Sequence, residues 1–429
     1  MGELVKESIV NSNFFSVLKE EHLFDVSKTQ KEYRNKNWEA IQNLEFPTTR
    51  NEYWKYTRLG RLVKTAYLNP EKSTKTLSIP TIEGFDGNRL VFENGIFRND
   101  LSNIINDEVK VLPLSQAKME CSAIVDQYLG KQTDIKNHIF SAINGYFHQD
   151  GLFVYVPKNK KPEKAIELIN FGSNNSQLIN LRNLIVLENG AEAEVFIREI
   201  NQTESSNLFN TVNEIFVADN AHFKSFQHQA FQAEGNQIQT TNAEVGANAT
   251  FKNWLFTQNG QLVRNNLNSE FKGENAATEI FGIYLPKDNS LVDNHTYIDH
   301  AVPNCYSNEL YRGIIADKAT AVFNGKVMVR QYAQKTNAFQ ANNNILLTDN
   351  GTVNSKPELE IYADDVKCSH GSTTGQMDEE ALFYLRSRGV SRENAVNLMV
   401  QAFAHSVIDN LPNEPIKNYF NQILDNRFS

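Results

Sequence analysis

The chain has 429 residues, 40% of them hydrophobic and 22% charged. That is enough apolar content to bury a core, and too much for a disordered chain. Lys and Arg number 42 against 51 Asp and Glu, a net charge of −9. This argues against general nucleic-acid binding, because phosphate neutralisation needs a basic face.

No apolar run approaches the ~18 residues of a membrane helix. The first residues, MGELVKES, lack the apolar stretch of a secretory signal. Lys6 stands where a myristoylation motif needs a hydroxyl. Cys121, Cys305 and Cys368 lie far apart with no CxxC pair, against a disulfide framework or zinc knuckle. The expectation is a reduced cytoplasmic protein with neither nucleic-acid nor membrane partners.

Residues 1–150 read mostly as helix. Phe14, Val17 and Leu18 fall at helical spacing, and a polar helix carries Tyr33, Trp38, Ile41 and Leu44 up to Pro47. The aromatic cluster Glu52 to Thr57 reads as a packed corner. A further helix is expected over about 132–148.

Residues 151–371 behave differently. From Leu152 apolar residues alternate, and strand-like stretches follow in quick succession. A weak repeat places a strand, a tight polar corner ending in Ala or Gly, then another strand. Its copies sit at 190, 220, 248, 275, 318 and 350, at intervals of 30, 28, 27, 43 and 32. One copy cannot bury its apolar face, whereas stacked copies can. Corner asparagines tolerate left-handed backbone, and Asn342-Asn343-Asn344 is a candidate polar ladder. Hairpin signals are few, Asn259-Gly260 and Asn324-Gly325 being the candidates. The pattern favours a solenoid of parallel strands over a sandwich.

Residues 372–429 return to helix. Asp378 can cap one helix that ends at Gly389, and Ser391 the next. Ala395, Leu398, Met399, Ala402, Phe403 and Val407 make one stripe. Pro412 ends that helix and Pro415 opens a third.

No phosphate loop, strand-GxGxxG-helix unit, GxSxG elbow or HExxH occurs. Two clusters remain. Asp293, His295, Asp299, His300 and Cys305 offer metal-ligating groups, but strand alternation divides His295 and Asp299 from His300. A polar solenoid face is the favoured reading. In the second cluster, period two puts Asp364, Cys368 and His370 on one face, a thiol beside an imidazole.

Four segments between 293 and 389 carry a resemblance: DNHTYIDHAVPNCYSNELYRGI, FNGKVMV, AQKTNAFQANNNILL and PELEIYADDVKCSHGSTTGQMDEEALFYLRSRG. They resemble the SufB/SufD family of iron–sulfur cluster assembly proteins. EYWKYTRL, LVFENGIF and FHQDGLFVYVP extend the likeness over most of the chain. The resemblance implies a mainly β fold, a right-handed parallel β-helix flanked by N- and C-terminal helical regions. The ending YADDVKCSHG matches the SufD-type branch. The SufB-type branch has an acidic-His-acidic motif there and an earlier cluster-associated cysteine. Asn342-Asn343-Asn344 occupies that earlier region here, without a cysteine.

What the resemblance implies is a scaffold subunit, not an enzyme, with no nucleotide site and no tightly bound cofactor of its own. It would pair with a SufB-like paralogue, or with itself in isolation. A SufC-type ABC ATPase would dock on the C-terminal helices, for which Leu382, Leu385, Leu398, Met399 and Phe403 are the candidates. The Fe–S cluster would be transient cargo of the complex, and a reduced flavin would associate at that level. His370 would lie near the partner's cysteine, either ligating iron (the one tentative metal ligand) or deprotonating the thiol. Cys368 is the second interface candidate. Two alternatives stand: a β-helix carbohydrate-active enzyme using Asp293–His300, or a SufB-like subunit that nucleates the cluster itself.

Overall fold

The computed structural model describes residues 9, 12–18, 25–72, 79–105, 108–134, 138–201, 203, 206–232 and 234–428. The N-terminal stretch MGELVKES and residues 135–137 of the expected 132–148 helix lie outside them.

The chain winds a parallel β-solenoid with two sheets. One takes β4 (Leu152–Val156), β6 (Leu178–Leu187), β8 (Leu208–Val217), β10 (Asn236–Val245), β12 (Leu262–Phe271), β14 (Leu291–His300), β16 (Thr320–Val329) and β18 (Thr352–Ile361). The other takes β5 (Ile166–Gly172), β7 (Glu192–Asn201), β9 (His222–Phe231), β11 (Thr250–Asn259), β13 (Ala277–Tyr284), β15 (Tyr306–Ile315), β17 (Thr336–Leu346) and β19 (Val366–Gln376). Each strand pairs in parallel with the strand two places on, so successive turns stack in register. Alternate side chains enter the space between the sheets. An apolar cluster from Leu90 to Phe323 runs along that space.

The corners from even to odd strands explain the repeat. Asn159, Gly190, Asn220, Asn248, Asn275, Asn304 and Lys335 all take positive φ there, the region Asn and Gly enter most readily. Asn275 donates to Asn248 at 3.3 Å, and Asn248 to Asn220 at 3.4 Å. Positions 318 and 350 belong to the other column of corners, from odd to even strands, where Asp288 and Asp317 carry positive φ. The irregular interval of 43 is therefore a jump between columns.

The region before residue 150 is less helical than expected. β1 (Asn88–Glu93) and β2 (Ile96–Phe97) form an antiparallel hairpin on the odd sheet, and β3 (Lys110–Pro113) lies antiparallel to β4. The hairpin turns at Asn94-Gly95, both with positive φ, as a two-residue primed turn requires. The two Asn-Gly pairs singled out in the sequence do not make hairpins. Asn259-Gly260 is a corner between turns, and Asn324-Gly325 lies inside β16. Phe14 begins no full helix, only a single tight turn, Asn13–Phe15.

The polar helix is α1 (Lys28–Asn43), capped by Ser27. The short helices α2 (Gly60–Lys64), α3 (Leu114–Glu120) and α4 (Ser122–Tyr128) follow. The helix expected over 132–148 is α5 (Ile139–Phe147) and starts later. α5 covers the outer face of the even sheet with Ile139, Phe140 and Ile143, against Leu178, Leu208 and Ile238. Beside it lies the buried Arg182–Glu214 pair, 2.7 Å apart: Arg182 also donates to Thr133 and Asn144, and Glu214 accepts from the Gly130 N–H.

The C-terminal helices cover the odd sheet. They are α6 (Glu379–Ser387), α7 (Arg392–Ile408) and α8 (Glu414–Phe428). Asp378 and Ser391 cap α6 and α7 through main-chain N–H groups, and Gly389 takes positive φ between them, as expected. Val400, Ala404, Ile408 and Phe420 bury Phe196, Phe226, Trp254 and Phe281 of the odd sheet. Among the described residues no helix is long and apolar enough to cross a membrane.

Candidate functional site at the open end

Among the described residues no further strand covers the last turn of the solenoid. β18 pairs only with β16, and β19 only with β17. Each therefore keeps one edge of main-chain N–H and C=O groups free. Burial falls away here: β18 is half-buried along its length and β19 mostly exposed. β18 carries Lys356, Pro357, Glu358 and Glu360, the residues that ordinarily blunt an edge. β19 is VKCSHGSTTGQ, with a single charged residue. A Cβ at Gly371 or Gly375 would meet nothing within 4 Å.

Both interface candidates lie on β19. Cys368 points inward and packs beside Val327, Val329, Ala333 and Ala338. Burial pushes its thiol up, and the Ala338 main chain offsets this only in part, so the group is a protonated thiol rather than a ready nucleophile. His370 is exposed and pairs in register with Gln340. Two residues along one strand, it shares the inward direction of Cys368. Asp364 does not share that face: the strand begins at Val366, and Asp364 sits in the corner before it. Asn342 and Asn344 of the expected ladder point inward and bond each other at 2.8 Å, with Tyr284 OH between their amides.

The Asp293–Cys305 cluster does not converge. His300 is inside, its Nε2 2.8 Å from Ser307 Oγ. His295 is outside, with Nε2 2.9 Å from Asp293 Oδ1. Asp299 holds Arg330 through both carboxylate oxygens. Cys305 is buried under Gly273 and Pro303 carbonyls. No group of three His, Cys, Asp or Glu able to hold a metal occurs among the described residues. The carbohydrate-enzyme alternative loses its shared site with this split.

A connection invisible in the sequence lies on the same outer face. Arg264 donates to Asp293 at 2.6 Å and to the Tyr53 carbonyl at 2.8 Å, and stacks 3.8 Å from the Trp54 ring. Thr57 donates to the same carboxylate. Burial would raise the Asp293 carboxyl, but Arg264, then His295 and Thr57, hold it well below the ordinary carboxylate range. The cluster at 52–57 is thus a clamp on β12 and β14. It is not a fully packed corner, since Tyr53 and Tyr56 remain exposed.

The docking candidates divide. Leu382 is buried, Leu385, Met399 and Phe403 are half-buried, and only Leu398 is exposed, at 49%. Arg312 of β15 stacks on the Phe403 ring at 4.7 Å and bonds Ser406 Oγ at 3.0 Å. Phe403 thus fastens α7 to the sheet. The exposed apolar groups on α6 are Phe383 and Tyr384, at 73% and 58%. The sequence reading passed over them. Their signal is two aromatic residues directly after the docking candidate Leu382.

With this geometry in hand, the family comparison is direct. The SufBD core domain of the SUF system for FeS cluster assembly matches residues 170–403, and the SufBD protein N-terminal region matches residues 14–168. The chain belongs to the SufBD family of SUF iron–sulfur cluster assembly proteins. It is similar to the iron–sulfur cluster assembly protein SufD of Escherichia coli, 28% identical over 92% of this chain and 93% of that one. A SufBD family protein of Synechocystis is 32% identical over 87% of this chain and 86% of its own. A chloroplastic Arabidopsis thaliana protein, ABCI7, is 27% identical over 90% and 83%. The resemblance first carried by the motifs at 293–389 therefore extends along the chain.

Proposed function

We propose that this chain is a SufD-like scaffold subunit of a SUF complex, without a nucleotide site of its own. It pairs through β18 and β19 with a SufB-like paralogue, and holds a SufC-type ABC ATPase on its C-terminal helices. The observation that carries this reading is the open last turn, where the plain edge of β19 suits strand addition by another chain and the charged edge of β18 lies beside it. The exposed Phe383, Tyr384 and Leu398 supply the apolar anchors for the second partner. Three free cysteines suit a reducing, cytosolic setting.

In this reading iron and sulfur are cargo. His370, at the mouth of the open end, takes the proton of a partner thiol and leaves a thiolate to receive iron. Cys368, burial-raised, is the weaker candidate and does not nucleate a cluster.

The test is anaerobic isolation of the complex from the native host. One paralogue, one copy of this chain and two ATPases support the reading; a lone chain or simple homodimer without ATPase overturns it. His370→Ala should leave pairing intact and slow cluster maturation by roughly a hundredfold. Unchanged maturation removes the role of His370.

A further inference from the structure

The interior of a stacked-strand solenoid is ordinarily apolar, and the turns beneath the open end depart from that. Three inward positions align on the odd sheet: Glu309 of β15, Gln340 of β17 and His370 of β19. Facing them on the even sheet, Thr296, Gly325 and Pro357 align in the same way. One turn deeper the file is closed by Ile280 and Leu267. It opens only at His370.

Thr296 donates to Glu309 Oε2 at 2.6 Å, while Oε1 has no aligned protein partner. The Gln340 amide lies close enough to act on the carboxyl, yet neither of its polar atoms completes an aligned hydrogen bond anywhere. Gly325 gives the amide its room, since a Cβ there would stand 2.3 Å from Gln340 Nε2. In-register neighbours on adjacent strands are about 4.8 Å apart, so the amide can reach Glu309 on one side and His370 on the other.

We propose that Glu309, acting through the Gln340 amide, sets the tautomer of the His370 imidazole. The inference rests on the role given to His370 above. A carboxyl that keeps its proton donates to Gln340 Oε1. That turns the amide N–H toward His370, whose facing nitrogen must accept. A carboxylate instead accepts from the amide N–H and turns Oε1 toward His370, whose facing nitrogen must donate. The amide converts the charge of Glu309 into the choice of which ring nitrogen is protonated.

Burial pushes the Glu309 carboxyl up to about 7, offset in part by Thr296 and Gln340, so both states are reached near neutral pH. The inward residues around it, Ile280, Gln340, Thr296 and Gly325, carry no charge. The other inward titratable groups on its own strand and on the facing strand are Tyr311, two residues on, and His300, bonded to Ser307; His370 stands two strands away in the same file. Burial keeps both neutral, raising Tyr311 and lowering His300 to about 4.

Nitrogen NMR on the isotope-labelled full chain reads the tautomer, with His370→Asn assigning the signals. Glu309→Gln keeps the shape but cannot ionise. At about pH 8 it should shift the His370 tautomer ratio about fivefold, what one hydrogen bond contributes, and remove its pH dependence. Gln340→Met should do the same by cutting the link. Glu199→Gln, which neutralises an interior acid far from the open end, should leave His370 unchanged. One tautomer ratio common to wild type, Glu309→Gln and Gln340→Met overturns the proposal. Cluster maturation in the reconstituted complex is read separately. A shifted tautomer with unchanged maturation supports the coupling and overturns the role of His370.

Discussion

At the N-terminal end of the stack the sheets finish in antiparallel strands, β2 against β1 and β3 against β4. α3 packs on β3 and β4 behind them. At the other end β18 and β19 stop with free edges. Strand edges are aggregation hazards that natural chains blunt. The first end finishes in short antiparallel strands backed by α3, and β18 is blunted by Pro357 and its charges, but β19 is left plain. A long plain edge in a chain whose other terminal strands are short or charged is where strand addition meets least resistance. The contrast also locates chemistry: the exposed His370 and half-buried Cys368 stand at the open end, while the buried ion pair Arg182–Glu214 ties a flank.

The largest effect expected from breaking this contrast comes from blunting β19. Gly371→Lys adds an ammonium where the structure leaves open space. The fold should keep its melting temperature, while pairing with the paralogue falls at least tenfold, as an edge lysine opposes strand addition. Sedimentation of the purified mixture checks this. Undiminished pairing would move the interface off β19.

A second contrast separates anchoring from docking on the C-terminal helices. Phe403→Ala removes the ring beneath Arg312 and should cost about 3 kcal/mol, read as loosened hydrogen exchange in α7. Phe383→Ala removes an exposed ring and should change stability by less than about 0.5 kcal/mol. ATPase affinity should nevertheless fall about tenfold or more, as for an interface anchor. Equal affinities for Phe383→Ala and wild type would place docking elsewhere.

How much of this was legible depends on where the signal sits. Corner asparagines announce themselves because Asn and Gly enter left-handed backbone more cheaply than most residues, so the solenoid shows through even with two corner columns merged. Helix caps at Asp378 and Ser391 are equally local. The strands β1 to β3 were hidden by brevity, although Asn94-Gly95 is a turn signal in plain view. The interior polar groups were hidden for a different reason. β10, NQIQTTNAEV, is buried almost throughout yet shows little apolar alternation, so periodicity cannot sort its faces. The file Glu309–Gln340–His370 needs cross-strand register, which no single strand contains. Arg264 reaching Asp293 and Trp54 is likewise a contact between distant segments.

Towards the N-terminal end of the stack, Glu199 of β7 is the counterpart of Glu309. It accepts from Thr211 and Gln237, and burial still pushes its carboxyl up to about 7, from 4.5. Between those values the native chain keeps a proton that the unfolded chain has released. Stability must therefore fall as pH rises through this window, and hold level above it. Glu199→Gln removes the dependence while keeping the side chain's shape. The variant should match wild type below about pH 4.5, then gain on it up to the order of 3 kcal/mol at about pH 8. Urea unfolding across that range checks the sign. Glu309→Gln should show the same curve in the isolated chain. In the paired complex its gain should grow, because covering the open end deepens the burial that already raises Glu309; Glu199, far from that end, should not notice the partner. A partner-dependent shift at Glu199 as large as at Glu309 would remove the distinction between the two ends.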